Sequence, residues 1–355
     1  MTQNTVQSPV QRGSSPTPAT NASDGDVAAI SGLRELYGKM RTELAKVIIG
    51  QEQVIEQLLI CILARGHGLL MGVPGLAKTT IVNALSQVMS LHFNRIQFTP
   101  DLMPSDITGT DILQETDQPG RRAFVFVKGP VFANIVLADE INRTPPKTQS
   151  ALLEAMQEHR VTVAGRIFPL PSPFFVLATQ NPIEQEGTYT LPEAQLDRFM
   201  FFIHVDYPTL TEERRIARET TGGAAAQLSH LISGEQILEF QQVVQRVPVP
   251  DHIYDSAVEL VRMTRPKEKE APDWIRKWVT WGAGPRAIQY LIRGAKAKAV
   301  LDGSFLVRRE DLEAVALPVL THRILTNFQA QAEGITSPAI VQRLLEATRG
   351  ETKRG

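Results

Sequence analysis

The stretch Gly72-Val73-Pro74-Gly75-Leu76-Ala77-Lys78-Thr79 constrains the fold of this chain more than any other, because it follows the apolar run Leu69-Leu70-Met71 and opens a helix-compatible segment at Thr80. A short buried strand that feeds a glycine-bearing turn and then a helix N-terminus builds a phosphate cradle. The glycines let backbone N–H groups close on phosphate oxygens, Lys78 reaches the outer phosphates, and the Thr79 hydroxyl can ligate magnesium. Ala77 stands where the usual P-loop pattern has its last glycine. A methyl group there calls for ordinary helix-entry dihedrals. A Gly-Pro turn ahead of a helix is the bland alternative, and the sequence downstream weakens it.

Downstream, Ile135-Val136-Leu137-Ala138 is a second apolar run, and it ends in Asp139-Glu140. On its own an acidic pair closing a strand is as often a solvated strand end. After a P-loop it reads as a Walker B pattern: the first carboxylate holds the magnesium shell and the second polarises a water toward the γ-phosphate.

A chain of 355 residues predicts about two domains, and 43% hydrophobic with 21% charged residues is enough to bury a core. The net charge of −1 argues against a dedicated nucleic-acid or membrane surface. Arg262, Arg265, Lys267 and Lys269 alternate with Glu268 and Glu270, which reads as a solvated face. The one cysteine, Cys61, falls in an apolar helical pattern as a small core residue and fits a reducing compartment. The N-terminus has neither a basic n-region nor an apolar h-region, and no run approaches the ~18 apolar residues a membrane span needs. A soluble cytoplasmic protein is expected. The seven histidines are scattered, so no transition-metal site is expected.

Residues 1–26 are polar and proline-containing and predict a disordered tail. From Val27 the pattern turns helical, and Val54, Ile55, Leu58, Leu59, Ile62 and Leu63 predict a helix packed on the sheet. A strand is expected over 92–98. Within 99–131 the turn Asp117-Gln118-Pro119-Gly120 and the alternation through Ala123-Phe124-Val125-Phe126-Val127 predict an inserted hairpin. Thr144 before Pro145 and Pro146 predicts a helix start with the hydroxyl capping it. A second hairpin over 160–170 turns at Ala164-Gly165, and core strands follow at 174–178 and 199–205. Apolar strands alternating with helices predict an α/β fold, a parallel sheet covered on both faces with the nucleotide at the strands' C-terminal edge. The Thr-Gly-Gly-Ala-rich break at 220–226 divides this core, 27–222, from a second domain, 223–355, in which only helical patterns occur.

Two further polar features suit phosphate chemistry. Asn181 in Thr179-Gln180-Asn181-Pro182 falls at the sheet edge beside Asp139 and Glu140, where an amide can orient water; a turn-capping Asn before Pro is the competing explanation. Arg198, in Leu196-Asp197-Arg198-Phe199, and Arg286, in Gly284-Pro285-Arg286, can each stabilise phosphoryl charge, though local sequence alone favours structural salt bridges.

Together these segments resemble the AAA+ ATPases and, more closely, the MoxR family. The matching residues are 72–79, Ala138-Asp139-Glu140-Ile141-Asn142-Arg143, 178–182, 191–199 and Gly284-Pro285-Arg286-Ala287, within a similarity spanning about 33–345. In that family the GxPGxAKT form of the P-loop is usual, while Thr190 sits where proline is more frequent. The resemblance implies a P-loop NTPase sheet followed by a small all-α lid. It makes Asn181 a sensor 1, Arg198 an arginine finger acting on the neighbouring subunit's ATP, and Arg286 a sensor 2, in cis or in trans. Segments 99–131 and 160–170 are similar to a helix-2 insert and a pre-sensor-1 hairpin, and Val47-Ile48-Ile49-Gly50-Gln51 resembles the segment that packs on adenine.

The resemblance thus implies a Mg2+-dependent ATPase working as a ring homo-oligomer, a hexamer, that remodels or matures a protein client. Partners bearing von Willebrand factor A domains are typical of the family. Rival readings are the ATPase subunit of a metal chelatase and a nucleotide-gated scaffold without turnover. Intact Glu140, Asn181 and Arg198 speak against the scaffold, and a nucleic-acid motor ranks last.

Overall fold

The computed structural model describes residues 24–115, 122–181, 187–220 and 226–352. The first described helix, α1 (Asp24–Leu44), corrects the expected tail boundary. Asp26 reads as polar tail by composition, but it lies near the start of the helix, where acidic residues are favoured, and it pairs with Arg246 of a later helix at 2.6 Å. Residues 1–23 lie outside the described set.

Next come α2 (Glu52–Leu63), β1 (Gly68–Met71), α3 (Lys78–Val88), β2 (Phe93–Gln97), α4 (Pro104–Thr108), β3 (Gly109–Glu115) and β4 (Arg122–Lys128). They are followed by β5 (Ile135–Asp139), α5 (Pro146–Glu158), β6 (Arg160–Val163), β7 (Arg166–Pro169), β8 (Phe175–Gln180), α6 (Glu193–Leu196), β9 (Phe201–His204) and α7 (Leu210–Thr220). Five strands form an all-parallel sheet in the order β2-β5-β8-β1-β9. The inner strands β5, β8 and β1 bury both faces, as parallel sheets do, whereas the edge strand β2 buries only Ile96. Leu70, Leu137, Leu177 and Ile203 point into one core shared with α1, α2 and α3. Leu69, Val136, Ala138 and Val176 point into the other, beneath α5. Registers Gln97↔Asp139 and Met71↔Gln180 bring the strand ends to one edge.

Both expected hairpins form, β3–β4 and β6–β7. The first one's turn, Asp117 to Gly120, lies outside the described residues. The second turns through Ala164 (φ 47°) and Gly165 (φ 77°), two positive dihedrals that suit a tight hairpin. They pack on each other: Phe126 stacks on Phe168 at 3.9 Å between ring centroids, and Arg166 pairs with Asp111. Thr144 does not cap α5. Each residue before a proline is pushed toward extended backbone, so Thr144 (ψ 155°) and Pro145 (ψ 154°) both stay outside the helix, and the Thr144 hydroxyl donates back to Ile141 O at 3.4 Å.

The C-terminal domain holds α8 (Gly234–Arg246), α9 (Asp251–Met263), α10 (Asp273–Trp278), α11 (Pro285–Leu301), α12 (Arg309–Leu320), α13 (Phe328–Ala332) and α14 (Ser337–Thr352). One departure from the expected all-helical pattern is the antiparallel pair β10 (Val279–Trp281) and β11 (Leu325–Thr326). Strands of three and two residues are too short to leave a periodicity in sequence. Within the basic cluster Arg262 pairs with Glu268 at 2.7 Å and Glu270 at 3.1 Å, and Arg265 with Glu268 at 3.5 Å. Cys61 is buried in α2, and desolvation pushes its thiol pKa up. Among the described residues no helix is long and apolar enough to cross a membrane.

Candidate nucleotide-binding site

The loop between β1 and α3 is shaped by three residues. A Cβ on Gly72 would lie 2.6 Å from the Val205 carbonyl, so this glycine lets the loop pass close to the chain leaving β9. Gly75 takes φ 85°. Ala77 takes φ 55°, ψ 21°, which overturns the expectation of helix-entry dihedrals. The left-handed turn costs an alanine about 1–2 kcal/mol, and it builds the concavity of successive N–H groups that binds anions. Helix α3 starts at Lys78 with no side-chain cap, leaving its first-turn N–H groups for a ligand.

Lys78 Nζ folds back to donate to Gly72 O at 2.5 Å and Val73 O at 3.0 Å. Burial pushes its pKa down, against the attraction of Asp139 and Glu140. The P-loop lysine and both carboxylates therefore share one electrostatic field, although 61 residues separate Lys78 from Asp139 in sequence.

Asp139 closes β5 and is 9% exposed. Its Oδ1 accepts from Thr179 Oγ1 at 2.6 Å, and its Oδ2 accepts from Arg95 Nη2 at 2.6 Å and Nε at 3.0 Å. Glu140 leaves the strand in the left-handed region, φ 57°, ψ 49°, with its N–H donating to Thr179 Oγ1 at 2.9 Å. One carboxylate oxygen accepts from both Gln97 Nε2 and Arg143 Nη1 at 2.9 Å. Asn181 follows β8, the neighbour of β5, and is 8% exposed. Thr179, Arg95 and Gln97 escaped the sequence reading. Arg95 and Gln97 flank Ile96, the one buried residue of β2, an alternation that any half-exposed edge strand shows and that marks neither residue.

Thr79 and Asp139 offer hydroxyl and carboxylate oxygens, the hard donors that magnesium takes. Among the described residues no group of three or more His, Cys, Asp or Glu could hold a metal alone. Magnesium bound through nucleotide phosphates needs no such cage.

The domain junction organises the two arginines. Arg286, in the first turn of α11, donates to Asp197 Oδ2 at 3.2 Å. Arg198 carries no ion pair to a described residue, and its carbonyl accepts from Tyr290 Oη of the lid at 3.0 Å. Asp197 also binds Arg323, a buried arginine that no motif signalled. Ile49 and Gly50 lie in the connection from α1 to α2, where Gln51 Nε2 donates to Asp206 O at 2.8 Å and ties that connection to the chain after β9.

A parallel sheet of this order, with a P-loop after β1, an acidic pair after β5 and a helical lid, defines a P-loop ATPase of the AAA class. Residues 67–201 match the ATPase family associated with various cellular activities (AAA), and residues 275–344 match the AAA lid domain. The chain is 42% identical over 334 residues to chaperone MoxR1 of Mycobacterium tuberculosis, covering 94% of this chain and 87% of that one. It is 31% identical to protein MoxR of Paracoccus denitrificans, covering 90% and 96%. A crystal structure from Cytophaga hutchinsonii, reported as that of a candidate ATPase, superposes with a TM-score of 0.83 at 43% identity, covering 90% of this chain and 96% of that one. The chain belongs to the MoxR family of AAA+ ATPases.

Proposed function

We propose that this protein hydrolyses ATP with magnesium as a ring-forming chaperone-like motor, a hexamer that remodels or matures a protein client. The observation that carries the reading is that the P-loop after β1 and the acidic pair Asp139 and Glu140 at the end of β5 open at the same edge of the parallel sheet. In this reading the loop N–H groups of 72–80 and Lys78 hold the phosphates, with Lys78 exchanging two loop carbonyls for phosphate oxygens. Ile49 and Gly50 face the base. Thr79 and Asp139 would hold magnesium, which when bound would neutralise charge on the phosphates. Glu140 turns its carboxylate from Gln97 and Arg143 to polarise water, and Asn181 orients that water. Arg198 reaches the ATP of a neighbouring subunit and Arg286 answers from the lid. The client rests on kinship with a protein named as a chaperone, and a partner with a von Willebrand factor A domain rests on the family resemblance alone.

Two substitutions separate binding from chemistry. Glu140→Gln should bind ATP about as well as wild type and hydrolyse it at least about 100-fold more slowly, since an amide accepts no proton. Lys78→Ala should weaken binding itself. Wild-type turnover by Glu140→Gln would remove Glu140 from the mechanism.

A further inference from the structure

Arg95 belongs to no motif singled out by sequence, yet it occupies the carboxylate on which magnesium binding depends. A carboxylate offers about four lone-pair positions. Two at Asp139 Oδ2 go to Arg95 Nε and Nη2, at 3.0 and 2.6 Å, and one at Oδ1 goes to Thr179. Arg95 Nη2 also donates to Gln97 Oε1 at 2.6 Å, and Gln97 Nε2 donates to Glu140 Oε2 at 2.9 Å. One guanidinium on β2 therefore links both carboxylates of the acidic pair. Lys78 does not take this place, because its ammonium is bound to the Gly72 and Val73 carbonyls.

The pair is asymmetric. The Asp139 side chain is 12% exposed and fixed by Thr179, whereas that of Arg95 is 48% exposed and stands on the edge strand of the sheet. The cation can swing to solvent while the anion stays, and a half-exposed arginine that regains its hydration pays little to leave. Arg95 fills both positions of Oδ2, so a magnesium shell that engages this oxygen must displace the guanidinium.

We infer that Arg95 is a built-in counter-cation for Asp139 which magnesium nucleotide must displace, so that it raises the magnesium concentration needed to load the site. This rests on the magnesium-nucleotide reading above. The charge it neutralises would otherwise leave Asp139 and Glu140 as adjacent, repelling carboxylates in the empty site.

The test is a titration of MgCl2 against the full-length protein with a fluorescent ADP analogue, read as binding and not as turnover. Arg95→Ala and Arg95→Gln should reach half-saturation at about fivefold lower magnesium than wild type, and Arg95→Lys, which keeps the charge, should stay close to wild type. Arg95→Gln carries the test if Arg95→Ala does not fold in a thermal melt. An unchanged or raised magnesium midpoint in the folded neutral variant overturns the counter-cation role while leaving the nucleotide reading intact. Wild-type binding that is absent, or equal in EDTA, would overturn the magnesium-nucleotide reading itself.

Discussion

Arg323 of the lid clamps Asp197 of the core: its Nε donates to Asp197 Oδ1 at 2.7 Å and its Nη2 to the Asp197 carbonyl at 2.9 Å. The same guanidinium donates to the Phe199 carbonyl at 2.7 Å, so both neighbours of Arg198 are held by one residue from the other domain. Arg286 reaches the second Asp197 oxygen, but through a single 3.2 Å contact and with its own side chain 38% exposed. The Arg323 side chain is 2% exposed. Truncating it would strand several carbonyls and a carboxylate.

Arg323→Ala should therefore cost about 3–5 kcal/mol of stability, the range for breaking a buried pair. Arg286→Ala should cost under about 1 kcal/mol, the range for an exposed one. Urea unfolding of the two variants beside wild type measures both. Equal losses would mean that Asp197 does not distinguish the two arginines.

Thr179 is the hinge of the acidic pair, donating to Asp139 and accepting the Glu140 N–H. Thr179→Val keeps the shape and loses both bonds, leaving the half-buried Glu140 N–H and the Asp139 carboxylate each short of a partner, at about 1–3 kcal/mol. It should also slow turnover at least about tenfold, because Glu140 is held at φ 57° and relaxes when its N–H is released. Thr179→Ser should restore most of both. Melting curves and steady-state ATPase rates on the three proteins decide it; a Val variant as fast as wild type would remove Thr179 from the positioning of Glu140.

The sheet, the P-loop and the acidic pair were legible because each is a local pattern: an apolar run, then residues at fixed short spacing. Arg95, Thr179 and Arg323 were not, because they act across 44, 40 and 126 residues of chain, and nothing local distinguishes them from ordinary surface or strand residues. Ala77 was misjudged in conformation for a related reason. The left-handed turn is imposed by closure of the loop between β1 and α3, and alanine's intrinsic preference opposes it. Short β10 and β11 exist through mutual pairing, which periodicity cannot register.

Acid should weaken the fold through His67. Its Nδ1 accepts the Val176 N–H at 3.0 Å while Nε2 faces the Met156 carbonyl at 3.1 Å, an arrangement that only the neutral ring satisfies. Burial holds its pKa down at about 4, against an ordinary value of 6.5. With the folded value depressed, the stability this ring contributes is fully present above pH 6.5 and is lost as pH falls toward about 4. His67→Gln should be less stable at pH 8 yet lose stability more gently in that window, by up to roughly 1.4 kcal/mol per pH unit. His322, also buried and depressed, keeps the variant from becoming flat. Urea unfolding from about pH 8 to about pH 5 reads the slopes, and parallel slopes would remove His67 as a source of acid sensitivity.

Arg198 stands at the junction with the lid, where Tyr290 Oη donates to its carbonyl at 3.0 Å. If it serves a neighbour's ATP, Arg198→Ala should keep nucleotide binding and lose most turnover, and the rate of the wild-type protein should rise with protein concentration as subunits assemble. Mixing sharpens the test. An Arg198→Ala ring has intact Glu140 and no finger, and a Glu140→Gln ring has the finger and no base. Rings containing both subunits include some interfaces that join an intact Glu140 to an intact Arg198, so two inactive proteins should together recover measurable hydrolysis. Other interfaces in the same ring lack both groups, which keeps the recovery partial. Subunit exchange followed by fluorescence transfer between labelled subunits, alongside the ATPase rate at several mixing ratios, separates the outcomes. Confirmed exchange with no recovery at any ratio would place Arg198 within its own subunit's site or in a structural role.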